Sequence, residues 1–419
     1  MIGILSIIIS LLITSALFFN AKVVNSSAIN VWTFLAQTSG VLGALLISWN
    51  FILAIRIPFL EKIFGGLDRV YKTHNVLGHT AFILILNHPL FLIINGLPNN
   101  LFKLYFVPSI NNLSYAYGIL ALYVFIILLA LTIFVDLPYA FWKKTHELMG
   151  IVIVLGALHG LFIISDVSRY FPLKAWLILW NSLAILAFIY KRFVYYIVRK
   201  RNNYIVTNVL QDKSYLVLTL SPISAEVSIS FKAGQYAFFS IKTDYREEHP
   251  FSILENNDGE IKIGTKIVGR FTIEMSNLKL GDKVSVNGPF GMFAESVKKA
   301  DNLVYISGGI GITPFLSMVR GASGKNITMI HTSKSNESTL LTDIFKSYTY
   351  YFPNFKFIHH ISDTLGRLNQ DIVKGYANLT HDTYVYLCGP AQMMEFLSTE
   401  LPKAGIRRKR IIFEDFKLK

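Results

Sequence analysis

A bundle of membrane helices, then an antiparallel β-barrel, then an α/β domain is the fold class this sequence predicts. Three observations carry it. The first 200 residues hold six apolar runs long enough to cross a bilayer. After Arg201 the pattern turns to short alternating runs such as SYLVLTL and GQYAFFSI, broken by Gly, Asp and Asn, which read as antiparallel strands. The last third alternates strands with helices, and Leu303–Ser307 leads into GGIGITP (Gly308–Pro314), a strand, a glycine turn and a helix start. The boundaries are a six-helix transmembrane bundle over 1–200, a barrel domain over 201–298 and an α/β domain over 299–419.

Composition agrees with a membrane protein. Of 419 residues, 53% are hydrophobic, and the mean hydropathy of +0.46 is too high for a soluble chain of this size. The net charge of +14 does not point to nucleic acid, because many of the basic residues flank the apolar runs. The single Cys388 excludes an internal disulfide and any multi-cysteine metal site. No Lys or Arg precedes the first apolar run, so it reads as a retained helix and not a cleaved signal peptide.

The six spans run over 2–20, 31–57, 73–96, 114–136, 146–166 and 174–197. One set of their ends holds Arg56, Lys62, Arg69, Lys72, Lys143, Lys144, Lys191, Arg192, Arg199, Lys200 and Arg201; the other holds only Lys22, Lys103, Arg169 and Lys174. By the positive-inside rule the first set is cytoplasmic, which puts both termini inside a multi-pass cell-membrane protein.

Four histidines fall in these runs. An ionisable residue in hydrocarbon is costly and marks function. His74 and His88 are separated by thirteen residues, and His146 and His159 by twelve. Each pair therefore spans about 20 Å of helix. In the positive-inside orientation both helices run outward, so His74 faces His146 near the cytoplasmic side and His88 faces His159 toward the outside. Imidazole is a natural axial ligand of haem iron, and the two levels suit two stacked haems. Zinc prefers a compact tetrahedral cluster, for which the pairs lie too far apart. The alternative is that these histidines bond to backbone carbonyls or line a polar cavity. At about 100° per residue, His88 lies about 40° from His74 but His159 about 140° from His146. Either the fifth helix is locally distorted, as Gly150, Gly156 and Gly160 permit, or the two haems meet it at different angles. His79 is left over, as a haem-propionate or packing partner.

In the second half, AGQY (Ala233–Tyr236) precedes HPFSI (His249–Ile253), VGRFT (Val268–Thr272) and GPFG (Gly288–Gly291). Phe251 and Ser252 offer the planar partner and hydroxyl that an isoalloxazine ring needs. Gly269 and Thr272 open a helix whose N–H groups suit a phosphate. In GGIGITP the glycines let a diphosphate approach the backbone, and Pro314 suits the first helical turn. YLCGPAQMM (Tyr386–Met394) ends another strand, where Cys388 is either a packed core residue or faces a nicotinamide. No Ser-His-Asp or paired-carboxylate arrangement suggests a hydrolase.

In this order the motifs resemble ferredoxin-reductase-type flavoprotein modules fused to six-helix ferric-reductase membrane domains, and among these the NADPH oxidases of the bacterial type. The resemblance covers nearly the whole chain, and the histidine intervals are those the family shows for its haem ligands. It implies a ferredoxin-reductase-like module with an FAD-binding barrel and an NAD(P)H-binding α/β domain. His249, Pro250, Phe251 and Ser252 carry over as FAD contacts, with Gly269 and Thr272 at its diphosphate. Gly308, Gly309, Gly311, Thr313, Cys388, Gly389 and Pro390 carry over to the nicotinamide-nucleotide site. Phe416, in the C-terminal EDF, carries over as the ring stacked on the flavin, with Phe413 nearby. His331–Glu337 lacks the arginine common in NADPH-selective relatives; Lys334 and Arg367 remain to bind a 2′-phosphate.

The function so implied is a transmembrane oxidase. Electrons pass from NADPH or NADH through FAD and two haem b groups to external molecular oxygen, giving superoxide. A ferric-chelate reductase shares this architecture, with external iron as acceptor. A haem subunit serving a partner protein is the third reading, disfavoured by the fused nucleotide domain. The chain leaves no room for calcium-binding EF-hands or a Pro-rich tail, so no obligatory protein partner is expected and an oxidase would run constitutively.

Overall fold

The computed structural model describes residues 2–25, 30–198, 202–241, 247–257, 259–322, 324–335 and 339–414. The chain divides into two compact units, Met1–Val198 and Arg199–Lys419.

The first unit contains the helices α1 (Ile2–Asn25), α2 (Val31–Leu53), α3 (Leu67–Gly96), α4 (Leu113–Phe134), α5 (Tyr139–Glu147), α6 (Met149–Phe162) and α7 (Phe171–Ile189). Six spans among the described residues are long and apolar enough to cross a membrane, with α5 and α6 sharing one of them. Large apolar side chains face outward, Leu12, Ile83, Ile127 and Leu186 among them, while Ser10, Thr14, Ser39 and Ser48 are buried. That inversion suits a lipid solvent, where interhelical polar contacts hold the bundle together. Ser10 and Thr14, one turn apart on α1, accept hydrogen bonds from Trp49 Nε1 of α2 and Trp176 Nε1 of α7, both at 2.9 Å. Lys22, buried near the end of α1, pairs with Asp166 at 2.8 Å.

The fifth span differs from a single helix over 146–166. It begins at Tyr139 and is interrupted at Leu148. There ψ is −9°, and the Leu148 N–H donates to Thr145 O at 3.1 Å, a three-residue closure in place of the α-helical one. The interruption lies between His146 and His159, so it resets the phase between them. The three glycines do not cause it. Gly150 instead lets the ring of Phe188 approach: a Cβ there would lie 2.2 Å from Phe188 Cζ.

The second unit opens with a closed antiparallel barrel of β1 (Asn202–Asp212), β2 (Tyr215–Pro222), β3 (Tyr236–Ile241), β4 (His249–Asn257), β5 (Glu260–Lys266) and β6 (Lys283–Phe290), in the order β1-β2-β5-β4-β3-β6. The short helix α8 (Arg270–Ser276) follows β5. Alternation along the strands fills the barrel: Leu216, Leu218, Leu220, Ile253, Ile261, Ile263 and Val286 share one core.

A parallel sheet follows, of β7 (Asn302–Gly308), β8 (Asn326–Ser333), β9 (Phe355–Ile361), β10 (Tyr384–Cys388) and β11 (Ile411–Phe413), in the order β11-β10-β7-β8-β9. Helices α9 (Thr313–Gly321) and α10 (Leu340–Tyr351) cover one face, and α11 (Gln370–Tyr376) and α12 (Ala391–Glu400) the other. The chain moves outward from β7 in both directions, so the switch point falls between β7 and β10, where open α/β sheets bind ligands.

Replacing Gly150 by Ala should destabilise the membrane unit by about 1–3 kcal/mol through overpacking on Phe188. The thermal midpoint of the detergent-solubilised protein measures it, and an unaltered midpoint would show that the ring yields at no cost.

Candidate functional site

The membrane histidines meet as two pairs. The ring centres of His74 and His146 lie 6.2 Å apart at an interplanar angle of 66°, and those of His88 and His159 lie 6.2 Å apart at 68°. An imidazole nitrogen binds a first-row metal at about 2.0 Å, and a ring centre lies about 1.1 Å behind its nitrogen, so two axial imidazoles on one ion stand roughly 6.2 Å apart. Both pairs match that spacing. Among the described residues no group of three or more His, Cys, Asp or Glu forms a metal cluster, so a macrocycle that supplies its own equatorial ligands fits these sites better than a bare ion.

The second ring nitrogen is held too. Nδ1 of His88 lies 2.7 Å from Ala36 O, Nδ1 of His159 2.7 Å from Ser114 O, and Nδ1 of His74 3.1 Å from Asn50 O. With Nδ1–H donated to a carbonyl, Nε2 carries the lone pair for a metal. Bonding to carbonyls and ligating a metal are thus compatible roles. Gly40 and Gly118 make room for the rings: a Cβ on either would lie 2.7 or 2.8 Å from Nδ1 of His88 or His159. His146 is held differently. Its ring stacks on Trp142 at 5.2 Å, and its buried Nδ1 meets no hydrogen-bond partner among the described residues. His79 is exposed, with Nδ1 2.8 Å from Asn75 O on its own helix.

In the barrel, HPFSI forms the start of β4. His249 stacks on Phe271 at 4.0 Å, Phe251 lies nearly parallel to the same ring at 6.1 Å, and Ser252 is buried opposite Tyr236. Pro250 pairs with Phe238. Gly269 starts α8, and the space beside it is open. Its N–H, like that of Val268, donates to Thr272 Oγ1 at 3.0 Å, so Thr272 shapes the turn by accepting its donors. Arg270 follows immediately, held by Glu247 at 2.5 Å and Glu274 at 3.3 Å. A cation beside an open glycine turn suits a diphosphate. Sequence reasoning passed over Arg270 although it lies inside the VGRFT motif.

At the switch point of the sheet the two glycine turns touch. A Cβ on Gly311 would lie 2.3 Å from Cys388 O and 2.8 Å from Gly389 Cα, and one on Gly308 would lie 2.8 Å from Pro390 Cδ. Gly309 has φ +56° and open space around it, the opening a dinucleotide needs. Thr313 and Pro314 start α9, with Thr313 Oγ1 bonded to Ile310 O at 3.0 Å. Cys388 is fully buried, packed with Tyr305, Phe315 and Tyr386. Beyond β8 and β9, Lys334 O accepts from Asp363 N at 3.2 Å, which joins the Lys334 loop to the turn leading to Arg367. Both basic side chains are exposed. Beside them His331 is buried with Nδ1 2.8 Å from Ser307 Oγ, and burial, then the neighbouring His359, pushes it down to about 3. Phe416 lies outside the described residues.

Residues 39–157 match the family described as ferric reductase like transmembrane component, and residues 305–399 match the oxidoreductase NAD-binding domain. Flavohemoprotein of Candida albicans is 30% identical over 196 residues, 41% of this chain and 48% of that protein. Flavohemoprotein A of Dictyostelium discoideum is 29% identical over 34% of this chain and 37% of its own length. The F component of the Na(+)-translocating NADH-quinone reductase of Neisseria meningitidis is 28% identical over 35% of this chain and 40% of its own. The chain thus spans about a third to a half of the relatives it matches. Among solved structures, a flavohemoglobin from Malassezia yamatoensis with bound FAD and heme covers 77% of this chain and 92% of its own, at 20% identity and a TM-score of 0.51, a likeness of fold. The barrel and parallel sheet make up a ferredoxin-reductase-type module, and it follows six helices long and apolar enough to cross a membrane, of which a stretch matches a ferric-reductase transmembrane component. The two family matches together, a ferric-reductase-like transmembrane component and an NAD-binding oxidoreductase domain, are the combination found in the ferric reductase-like superfamily.

Two outcomes follow. Gly311→Ala forces the nucleotide turns apart at about 1.4 kcal/mol per tenfold of affinity, and should weaken NAD(P)H binding about tenfold or more, read by nucleotide titration. His331 binds its proton far less readily folded than unfolded, so its contribution is complete above its unfolded value of about 6.5 and is lost as pH falls toward about 3. His331→Asn should flatten thermal stability against pH across that window; an unaltered slope would assign the acid sensitivity elsewhere.

Proposed function

We propose that this protein moves electrons from cytoplasmic NAD(P)H through FAD and two bis-histidine haems b to external oxygen, producing superoxide. The observation that carries the reading is the pair of matched histidine sites, each 6.2 Å between ring centres. Bound in these sites, FAD would turn a hydride into single electrons and the haems would pass them along the helices.

The chain's own residues supply position and selectivity. Gly308, Gly309, Gly311, Gly389 and Pro390 open the backbone to the nucleotide, and Thr313 starts the helix behind it. Cys388 ends β10 with its side chain in the core and its carbonyl against the Gly311 turn. Lys334 and Arg367 provide positive charge for a 2′-phosphate, which favours NADPH over NADH. His249, Pro250, Phe251 and Ser252 form the flavin strand, while Gly269, Thr272 and Arg270 hold the diphosphate. Phe416 is assigned the flavin-stacking role on family resemblance alone. His74 and His146 hold the inner haem, and His88 and His159 the outer. A haem held between His88 and His159 would have both imidazoles committed as its ligands, and would supply outer-sphere electron transfer to an acceptor. The excess of Lys and Arg on one set of span ends supports cytoplasmic termini. The domains are assigned as 1–200 for the haems, 201–298 for FAD and 299–419 for NAD(P)H.

The ferric-reductase family match over residues 39–157 favours a second reading, with a ferric chelate as acceptor. NADPH-driven cytochrome c reduction with and without superoxide dismutase separates the two. A signal abolished by dismutase supports the oxidase; one undiminished by it, together with rapid reduction of a ferric chelate, supports the reductase. Running NADH in parallel tests the nucleotide preference. His88→Leu should lower the haem content from two to one per chain, and unchanged content would remove His88 as a ligand.

A further inference from the structure

Glu255 lies outside every motif read from the sequence. It sits on β4 three residues after Ser252, and its side chain gathers partners from both domains of the second unit. Lys262 Nζ of β5 lies 2.8 Å from Oε2. Arg320 Nη1 of α9 lies 3.1 Å from Oε1, and the Tyr348 hydroxyl of α10 donates to the same oxygen at 3.4 Å. The guanidinium of Arg320 also stands 5.9 Å from the centre of the Tyr348 ring. The carboxylate is only 15% exposed, whereas Arg320 is 43% exposed.

A register shift between Ile253 and Glu255 in the pairing of β4 with β5 sets up this arrangement. A bulge re-aims the side chains beyond it. Ile253 points into the barrel core, the next residue, Leu254, joins the core of the nucleotide domain, and Glu255 reaches α9 and α10. The two elements it connects each carry a cofactor site at their other end. On β4, Ser252 of the flavin motif lies about 10 Å from Glu255. On α9, Thr313 of the glycine turn lies about 10 Å from Arg320. A second tie runs across the same face, where Gly234 N donates to Ser317 Oγ at 3.0 Å.

We propose that Glu255 is a positioning residue for hydride transfer: its link to Arg320 and Tyr348 sets the registry of the nucleotide helix against the flavin strand. The inference rests on the electron-transfer reading above. In the step concerned, a hydride carries two electrons and one proton from the dihydronicotinamide to the flavin; the nucleotide is oxidised and the flavin reduced. Such a transfer is sensitive to displacements of about 1 Å, which cost up to about 100-fold.

The test is anaerobic mixing of the full-length, FAD-loaded protein with NADPH, following flavin absorbance, with protiated and C4-deuterated nucleotide. Glu255→Gln keeps the shape and removes the charge. It should slow flavin reduction about tenfold per bound FAD and raise the deuterium isotope effect, with FAD content and nucleotide affinity retained. Arg320→Met should do the same, and Arg320→Lys should recover part of the rate. Wild-type rates and isotope effects in both Glu255→Gln and Arg320→Met would overturn the proposal. So would a loss confined to FAD content or thermal midpoint, since that marks a structural role. If neither NADPH nor NADH reduces the flavin of the wild-type protein, the electron-transfer reading fails and the positioning role fails with it.

Discussion

An imidazole placed in hydrocarbon has two nitrogens to satisfy, and the membrane unit is organised around that requirement. A neutral ring donates from one nitrogen and accepts at the other. Water is absent at membrane depth, so both partners must come from the protein or from a bound group. Helix carbonyls are the nearest acceptors, but each already takes an N–H from its own helix and is overhung by the side chain four residues on. Ala36 and Ser114 escape the overhang because Gly40 and Gly118 stand four residues after them. Asn50 meets the need differently: its carbonyl, in the last turn of α2, accepts the Ala54 N–H at 3.1 Å and has His74 Nδ1 at 3.1 Å as a second partner, a longer contact than the other two. Two local devices therefore reach one chemical result, a histidine with its donor tied down and its lone pair left for a metal.

That solution dictates packing. Bringing a ring within 2.7 Å of a carbonyl requires close helix pairs, and α2 with α3 and α4 with α6 are the most extensively packed helix pairs of the unit. The repeated use of a carbonyl, a glycine and a histidine in both pairs gives two matched walls to the His88–His159 site. The His74–His146 site is less symmetric. His146 precedes the Leu148 interruption, lies against Trp142 and has no matching carbonyl among the described residues. The interruption reconciles two demands that a straight helix could not meet, since twelve intervening residues leave His146 and His159 on different sides of an ideal α-helix.

Much of this was legible in the sequence, because it depends on local pattern. Hydropathy located six spans, alternation located the barrel strands, and the order of strand, glycine turn and helix located the parallel sheet. The third span begins at Leu67, six residues before the apolar run suggested, because the helix continues through Asp68, Arg69 and Lys72 at its polar end. What local pattern did not reveal depends on long-range contact. Ala36 is 52 residues from His88 and Ser114 is 45 from His159. Gly40 and Gly118 carried a faint signal, as lone glycines inside apolar spans often mark close approach. The site of the interruption carried less, since the visible glycines of that span point to its later turns. Arg270 was masked by the motif around it, and Glu255 by the absence of any motif at all.

The second unit meets a different constraint, that two backbones must approach one ligand without side chains between them. At the switch point the Gly308–Gly311 turn and the Cys388–Gly389 turn are already in contact, so neither can take a Cβ on its inner side. The open side is then the one Gly309 faces, at a φ that an ordinary residue resists. Cys388 is buried in the aromatic core beneath, so its carbonyl, not its thiol, forms the contact with the other turn. The glycines and Cys388 thus act together as one backbone surface. A side chain added at Gly311 would disturb the shape of the nucleotide cradle before it met any ligand.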